Sequence, residues 1–275
     1  MKSTYQQPAL TPAFSFRRLV LLRLLTENIV GFLLQYTGLM LSVSSGQFLP
    51  LNFASGTAAA FIFMRGFTVL PGMWLGMCCV SSVYASVYLL QAILLYWLTQ
   101  RFISPGLLFY RPLSVLKFIV LSILLTAITS LIVPGWLENL NGLLVMACAI
   151  TTWDLYFPET EKLWQVKKLP LILPFSLLAL TAITQAYCTT PSLALLLSWV
   201  AFMLTLFIAI RFAWCGAVAA LFLLGLISNL AVYLGAPFSY PPYMLTATII
   251  SGLLMGITSP HVSFHFLSKI SYVCE

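Results

Sequence analysis

Charged residues are scarce in this sequence, and their scarcity excludes most classes of soluble protein. Only 7% of the residues are Asp, Glu, Lys or Arg, whereas 61% are hydrophobic. A chain with so little polar surface cannot cover a water-soluble globule, so the sequence predicts an integral membrane protein whose main partner is the lipid bilayer. The net charge of +7 does not indicate nucleic-acid binding, because the basic residues lie almost wholly between the apolar runs, where they set orientation.

Residues that carry catalysis or bind metals are also few. The chain has one aspartate, two histidines and six cysteines, and no two cysteines have the CxxC spacing of a metal or redox site. The sequence contains no Gly-rich phosphate loop, and no nucleophile motif lies beside either histidine. We therefore predict that the protein is not an enzyme and that it binds no metal and no cofactor.

Long apolar runs make up most of the chain. They are about 20 residues long, the length that an α-helix needs to cross some 30 Å of hydrocarbon, and they lack the alternation of β-barrel strands. The predicted fold is an all-α, polytopic transmembrane helical bundle of about ten spans. Because connections that contain Lys and Arg alternate with connections that lack them, both termini are predicted in the cytoplasm. The predicted organisation is a cytoplasmic tail (1–23), the bundle (24–260) and a short cytoplasmic tail (261–275).

Two stretches determine the span count. Between Leu193 and Phe238, two apolar runs flank Arg211, whose charge is costly at the centre of a bilayer, so we predict a helical hairpin that turns there. The apolar stretch of residues 69–98 would form one helix of about 45 Å, which is long for a single span. We predict two short helices with a break near Ser81 and Ser82, with a single or a re-entrant crossing as alternatives.

Ionisable residues within the apolar runs are candidate ligand or signal residues. Asp154, beside Trp153, lies near the cytoplasmic end of its span, where desolvation would make it a proton or cation site; a solvated position at the helix end is the simpler alternative. Glu27 lies four residues after Arg23, on the same helix face, where an ion pair would neutralise both charges.

Amide side chains within the apolar runs form a second group of candidates. Buried amides are expected to face the bundle interior and to hydrogen-bond between helices, and any of them could line a ligand cavity. They are Asn52, Gln91, Gln185 and Asn229. Asn28, beside Glu27 near the start of the first span, is a further ligand or signal candidate.

Glycine, proline and aromatic residues, together with Arg211, occur in a particular order and spacing along the apolar runs. They are Gly56, Gly66, Pro71, Gly72, Gly76, Arg211, Phe212, Gly216, Gly235, Pro237 and Phe238. Over about residues 24–259 this order and spacing resemble those of the first membrane-associated sensor domain family of bacteria, and Trp153-Asp154 is similar to a Gly-Asp pair in the family's Trp-rich middle helix. The chain departs from the family pattern at Asn52-Phe53, where Trp-Pro is typical, and at Ala213 and Ala236, where glycine is usual.

The resemblance implies a sensory module of the bacterial cytoplasmic (inner) membrane that feeds a kinase, a diguanylate cyclase or a phosphodiesterase. Because only a short tail follows residue 260, we expect a stand-alone module that acts through a separate signalling or membrane protein. A small-solute or lipid transporter with Glu27 and Asp154 on its path, and a structural subunit of a membrane complex, are the alternatives. Small residues four apart, as Gly72 and Gly76 are, favour close helix packing and permit a homo-oligomer.

Overall fold

The computed structural model describes residues 13–44, 49–103, 111–156, 169–188, 190–236 and 240–258; in 13–19, 42–44, 153–156 and 169–171 it describes the backbone alone. Most of these residues are helical, and no strand occurs among them. A 3-10 turn, Gly66–Val69, joins the second helix to the third. The helices are α1 (Ala13–Ser44), α2 (Phe53–Arg65), α3 (Leu70–Cys78), α4 (Ser82–Phe102), α5 (Pro112–Thr129), α6 (Trp136–Tyr156), α7 (Leu169–Ala186), α8 (Pro191–Tyr233) and α9 (Pro242–Thr258).

The helices have the length and composition of membrane-spanning segments. Among the described residues, five helical stretches are long and apolar enough to cross a membrane, and the apolar helices Ile172–Ala186 and Pro242–Thr258 are shorter. Large apolar side chains are exposed on most of these helices, as they are on surfaces that face lipid. The all-helical membrane protein predicted from composition is thus supported. By length and composition, the five stretches are Val20–Leu41, Phe53–Cys78, Ser82–Phe102, Pro112–Thr129 and Pro191–Tyr233. Two of them, Phe53–Cys78 and Pro191–Tyr233, contain the reversals of direction described next.

The chain reverses direction between α2 and α3, although the two helices are nearly continuous in sequence. Glu27 of α1 contacts Arg65 at the end of α2, whereas Gly38, later in α1, lies against Ala54 at the start of α2. The two helices are therefore antiparallel. In contrast, α3 runs parallel to α1, because Gly72 lies against Asn28 and Gly76 against Phe32. Gly66 makes this reversal possible, since its φ of 68° is readily adopted only by glycine.

The helical hairpin predicted between Leu193 and Phe238 is confirmed. The 43 residues of α8 contain one residue with non-helical backbone, Ala213, at φ 55° and ψ −148°. A straight helix would separate Ser198 from Tyr233 by about 52 Å. Instead, Tyr240, shortly after the helix, donates a hydrogen bond from its hydroxyl to the Ser198 carbonyl at 3.0 Å. The two halves of α8 are therefore antiparallel, with the turn at Ala213.

The predicted break near Ser81 and Ser82 is confirmed as well, but the two helices beside it are unequal. Ser81 has an extended backbone, and α4 begins at Ser82 and continues for 21 residues. The preceding α3 has only nine residues, or about 13 Å of helix, which is less than half the thickness of the hydrocarbon layer.

Three helices begin at residues other than those predicted. The helix that contains the first span starts at Ala13, upstream of Leu24. The apolar run from about Phe48 to Met64 predicts the second span, but its helix begins at Phe53, because Asn52 accepts hydrogen bonds from the backbone N–H groups of the first turn, as an N-terminal capping residue does. The apolar run from Asn141 to Phe157 predicts another span, with residues 134–140 as the connection before it. Its helix, the sixth, begins instead at Trp136, which brings the Asn139 side chain into the bundle.

The two ends of the bundle differ in chemistry. At one end, which we call the basic end, Arg65 at the end of α2 lies beside Glu27, and Lys117 of α5 donates a hydrogen bond to the Phe102 carbonyl at the end of α4. The opposite end, the amide end, contains the start of α2 and the start of α6, where the Asn52 N–H donates to the Glu138 carbonyl at 2.9 Å.

Candidate functional site

A short non-helical segment, residues 49–52, is buried at the amide end in the connection between α1 and α2. Its last residue, Asn52, has extended backbone, and we call residues 49–52 the extended segment. Leu51 is only 1% exposed, and Asn52 is 8% exposed. Non-helical backbone at this depth must find partners for its N–H and C=O groups, because lipid and packed side chains offer none. Pro50 has no N–H to satisfy, which reduces that requirement by one donor.

Asn229, in the second half of α8, binds both backbone polar groups of Leu51. Its Oδ1 atom accepts a hydrogen bond from the Leu51 N–H at 3.0 Å, and its Nδ2 atom donates to the Leu51 carbonyl at 2.6 Å. The asparagine amide thus takes the place of the neighbouring strand that an extended segment would have in a sheet. Asn229 is 4% exposed, so water does not compete for these bonds.

Asn141 joins the segment to two further elements. Its Nδ2 atom donates to the Pro50 carbonyl at 3.1 Å and to the Pro242 carbonyl at 3.2 Å. Its Oδ1 atom accepts a hydrogen bond from Thr246 at 2.7 Å. Asn141 is fully buried and holds α6, α9 and the extended segment in one arrangement.

Asn52 connects the segment to α4. While its Oδ1 atom caps α2, its Nδ2 atom donates to the Tyr88 hydroxyl at 2.7 Å. The oxygen of this amide therefore hydrogen-bonds within α2, and its NH₂ group hydrogen-bonds between α2 and α4. Asn52 and Asn229 were predicted as buried, hydrogen-bonded amides, and the structure confirms both and brings them to the same segment.

A second group of polar side chains lies beside the first, where α4, α5 and α6 meet. Gln91 donates from Nε2 to the Thr126 hydroxyl at 3.0 Å, and Asn139 donates from Nδ2 to Gln91 Oε1 at 3.0 Å. Thr129 completes the group and accepts a longer hydrogen bond, of 3.4 Å, from the same Asn139 nitrogen. We refer to Gln91, Thr126, Thr129 and Asn139 as the amide chain.

The ion pair predicted at the basic end is present. Glu27 accepts a hydrogen bond from Arg23 Nε at 2.9 Å, and Arg65 Nε lies 3.6 Å from the same carboxylate oxygen. The glutamate side chain is 16% exposed and that of Arg23 is 67% exposed, so the pair is interfacial. Its position at the helix end, between two guanidinium groups, is typical of a structural ion pair rather than of an ion-transport site.

Asn28, the neighbour of Glu27, anchors the start of α3. Its Nδ2 atom donates to the Thr68 carbonyl at 3.0 Å, and its Oδ1 atom accepts from the Gly72 N–H at 2.8 Å. A Cβ atom on Gly72 would overlap the Asn28 carbonyl, and one on Gly76 would overlap the Phe32 carbonyl. Glycine is therefore required at both positions for α3 to approach α1 this closely.

A similar close approach joins α2 to α6. A Cβ atom on Gly56 would overlap the Gly142 carbonyl, and a Cβ atom on Gly142 would overlap the Asn52 carbonyl. Because Asn52 and Gly56 both face the start of α6, the two helices run parallel, and α2 spans the distance between the amide end and the basic end.

The other positions that match the sensor-family pattern, where the structure describes them, lie at helix ends and turns. Pro71 is in the first turn of α3, where a missing N–H costs nothing. Gly235 follows α8 with a φ of 72°. Arg211, Phe212 and Gly216 surround the turn at Ala213, and the Phe212 ring lies 6.4 Å from that of Phe175 on α7.

Some predicted site residues lie outside the described parts of the structure. For Trp153 and Asp154 the backbone of α6 is described but the side chains are not, and Pro237 and Phe238 are not described. The preceding residue, Thr152, accepts a hydrogen bond from the Trp214 indole N–H at 2.9 Å, so the end of α6 is joined to the turn of α8.

Asn139, Asn141 and Tyr88 were not predicted as site residues. Asn139 was assigned to a connection and Asn141 to the first position of a span, because the helix that holds them begins five residues earlier than predicted. The sequence feature that could have indicated Asn139 and Asn141 is the occurrence of two asparagines two residues apart beside a long apolar run.

Every buried polar side chain in the described part of the chain is neutral. Amides and hydroxyls of Asn, Gln, Ser and Thr make up this group. The burial of Tyr240, just before α9, raises the pKa of its hydroxyl to about 12, so this group also stays uncharged and continues to donate to Ser198.

Comparison with known proteins gives no relative: no family model, no curated protein and no solved structure matches this chain.

Proposed function

We propose that this protein is a sensory or regulatory module of a bacterial cytoplasmic membrane, with about ten spans and both termini in the cytoplasm, that acts through a separate signalling or membrane protein. The observation that supports it best is the position of the glycines in the sensor-family pattern. Gly56, Gly72 and Gly76 each lie where a helix backbone meets a neighbouring backbone too closely for any other residue.

The backbone at Ala213 also supports the proposal. The family usually has glycine at this position, and Ala213 has a φ of 55°, a conformation that glycine adopts more readily than alanine. Alanine at position 213 therefore differs from the family in residue type, but its backbone has the conformation that the usual glycine would favour. Glycines at helix contacts are common in membrane proteins, but the match at this turn does not depend on helix packing.

A route for a signal is built into α2. Its first residues contact the amide end through Asn52, and its last residue, Arg65, lies beside Glu27 at the basic end. A ligand that binds one hydrogen-bonding arrangement of the amide end better than another would shift α2 and, with it, the turn at Gly66. The basic end would face the cytoplasm, since its lysine and arginine residues follow the positive-inside rule, and there it would meet the partner.

A transporter of small neutral solutes is the second candidate. The buried amides at the amide end favour it, since such groups can bind a polar solute. The neutral character of the described buried side chains disfavours a path for ions or protons, which generally contains ionisable groups.

The experiment that separates the two is a purification of the full-length protein, tagged at its C-terminus, from native membranes in mild detergent, followed by mass spectrometry. We expect a stoichiometric kinase, cyclase or phosphodiesterase, which retrieves this protein in turn when the partner carries the tag. A matched pair of variants sharpens the result. Gly56→Ala, which changes the contact of α2 with α6, should reduce recovery of the partner, whereas Gly252→Ala, at a roomier contact on α9, should not.

Measurement of solute flux in reconstituted vesicles tests the transporter alternative. If purified protein catalyses the flux of a solute that also co-purifies with it, and no signalling protein does, the sensor proposal is wrong and the transporter is favoured.

A further inference from the structure

Asn139 has a buried polar atom that no described residue satisfies. The residue is 4% exposed, and its Oδ1 atom has no hydrogen-bond partner. Its Nδ2 atom, in contrast, donates both of its hydrogens, one to Gln91 and one to Thr129. Buried carbonyl oxygens are satisfied in the great majority of native proteins, so an exception indicates a missing partner.

A rotation of the amides would not complete the group. If Gln91 and Asn139 both turned by 180°, Thr129 would have to donate to Asn139, but its single hydroxyl hydrogen is already donated to the Thr126 carbonyl at 3.1 Å. The observed direction, in which Asn139 donates to Gln91 and to Thr129, keeps all of these bonds. The atom without a partner, at the outer position of the Asn139 amide, is therefore the carbonyl oxygen Oδ1.

The unpartnered oxygen defines the chemistry of the group that would occupy this place, which must donate a hydrogen bond to a carbonyl oxygen. A carboxylate can only accept, so it does not fit. An ammonium can donate, but its charge would be costly among neutral buried side chains. A hydroxyl group donates and carries no charge.

We propose that the outer amide position of Asn139 is a binding site for a hydroxyl group, supplied by a water molecule or by a small alcohol. The site lies at the start of α6, three residues before Gly142, which contacts α2. An occupant would bind Asn139 of α6, which the hydrogen bonds of the amide chain connect to α4 and α5. The proposal does not depend on a sensory role, since a hydroxyl would bind there equally in a transporter or a structural subunit.

The test is a structure of the full-length protein in lipid nanodiscs at a resolution of about 2 Å, at which ordered water is visible. Isolated density roughly 2.7–3.2 Å from the outer atom of Asn139 identifies a water molecule. Elongated density at the same distance, together with an added mass of the intact protein in native mass spectrometry, identifies an alcohol. Both results support the site. Its absence, with the Asn139 amide bonded to a protein group instead, overturns the proposal.

Two variants keep the test decisive. Asn139→Leu keeps the branched shape of the side chain without its hydrogen-bonding atoms, and it should abolish the density. Thr184→Val, on the exposed face of α7, should leave it unchanged. If Asn139→Leu is folded and retains the density in place, the occupant is held by other groups and the assignment to Asn139 is wrong. If Asn139→Leu does not fold, Asn139→Ser provides the second variant, in which the density should move towards the shorter side chain.

Discussion

Asn229 holds Leu51 by both of its backbone polar groups, at 3.0 and 2.6 Å. Replacement by leucine would leave a buried N–H and a buried carbonyl without partners. We expect Asn229→Leu to lower the free energy of unfolding by about 2 kcal/mol, measured by reversible unfolding in mixed detergent micelles. Thr184→Val, which removes only a local hydroxyl on an exposed helix face, is the control and should change it little. Equal stability of the two variants would contradict the role of Asn229.

Glycine substitutions distinguish tight helix contacts from ordinary ones. A Cβ atom on Gly142 would overlap the Asn52 carbonyl, which belongs to backbone and cannot move aside, whereas a Cβ atom on Gly252 would lie 3.4 Å from a flexible leucine side chain, Leu221. We expect Gly142→Ala to cost about 3 kcal/mol. Gly252→Ala should be neutral or stabilising by up to about 1 kcal/mol, because alanine favours helix. Thermal unfolding of both purified variants measures the difference, and similar melting temperatures would refute it.

Ala213 has a positive φ of 55°, which costs an alanine free energy that a glycine does not lose. Ala213→Gly should therefore raise the free energy of unfolding by about 1 kcal/mol. The same substitution at Ala209, a buried residue four positions earlier within the helix, should lower it by about 1 kcal/mol. Thermal unfolding of the two variants beside the parent protein gives opposite shifts if the turn is at Ala213. A loss of stability at both positions would place the turn elsewhere.

Adjacent residues on α1 should differ in importance. Glu27→Gln removes an interfacial ion pair, which contributes at most about 1 kcal/mol. Asn28→Leu removes the acceptor of the Gly72 N–H and the donor to Thr68, and we expect a loss of about 1–2 kcal/mol. Denaturant titrations of the two variants at the same ionic strength provide the comparison. If Glu27→Gln is the more damaging variant, the carboxylate has a role beyond the ion pair.

The proposed topology can be tested by cysteine labelling in a background without the six native cysteines. Ser82→Cys lies at the start of α4 and Arg111→Cys just before α5, and both positions are exposed. With a membrane-impermeant maleimide, we expect Ser82→Cys to react in intact spheroplasts and Arg111→Cys only after the inner face becomes accessible. Reaction of Ser82→Cys from the cytoplasmic side alone would exclude the pair of crossings on either side of it.

Hydropathy and charge were sufficient to predict the coarse fold. Arg211 marked the turn of α8, and the excessive length of residues 69–98 marked the break before Ser82, because both follow from the cost of charge and length in a bilayer. The extended segment at residues 49–52 was missed, since Pro50 and Asn52 are averaged out within an apolar window. Its stability depends on Asn141 and Asn229, which are distant in sequence, and no local pattern reveals such contacts.

The unequal lengths of α3 and α4 and the place of Asn139 in the amide chain were not predicted, for a related reason, although short helices and a buried Gln91 were. The nine residues of α3 are tolerable because Asn28 and two glycines fix them against α1, which is a tertiary effect. Asn139 belongs to the bundle because α6 starts at Trp136, and helix starts are poorly determined by sequence alone.

The separation of 178 residues between Leu51 and Asn229 also sets an order for biogenesis. Membrane proteins are inserted from the N-terminus onward, so α1 and α2 enter the bilayer long before α8 is synthesised. Until then, the backbone of the extended segment must be hydrated or held by the insertion machinery. Truncated chains that end before residue 229 are therefore expected to be substrates for quality-control proteases, even when all their earlier helices have been inserted.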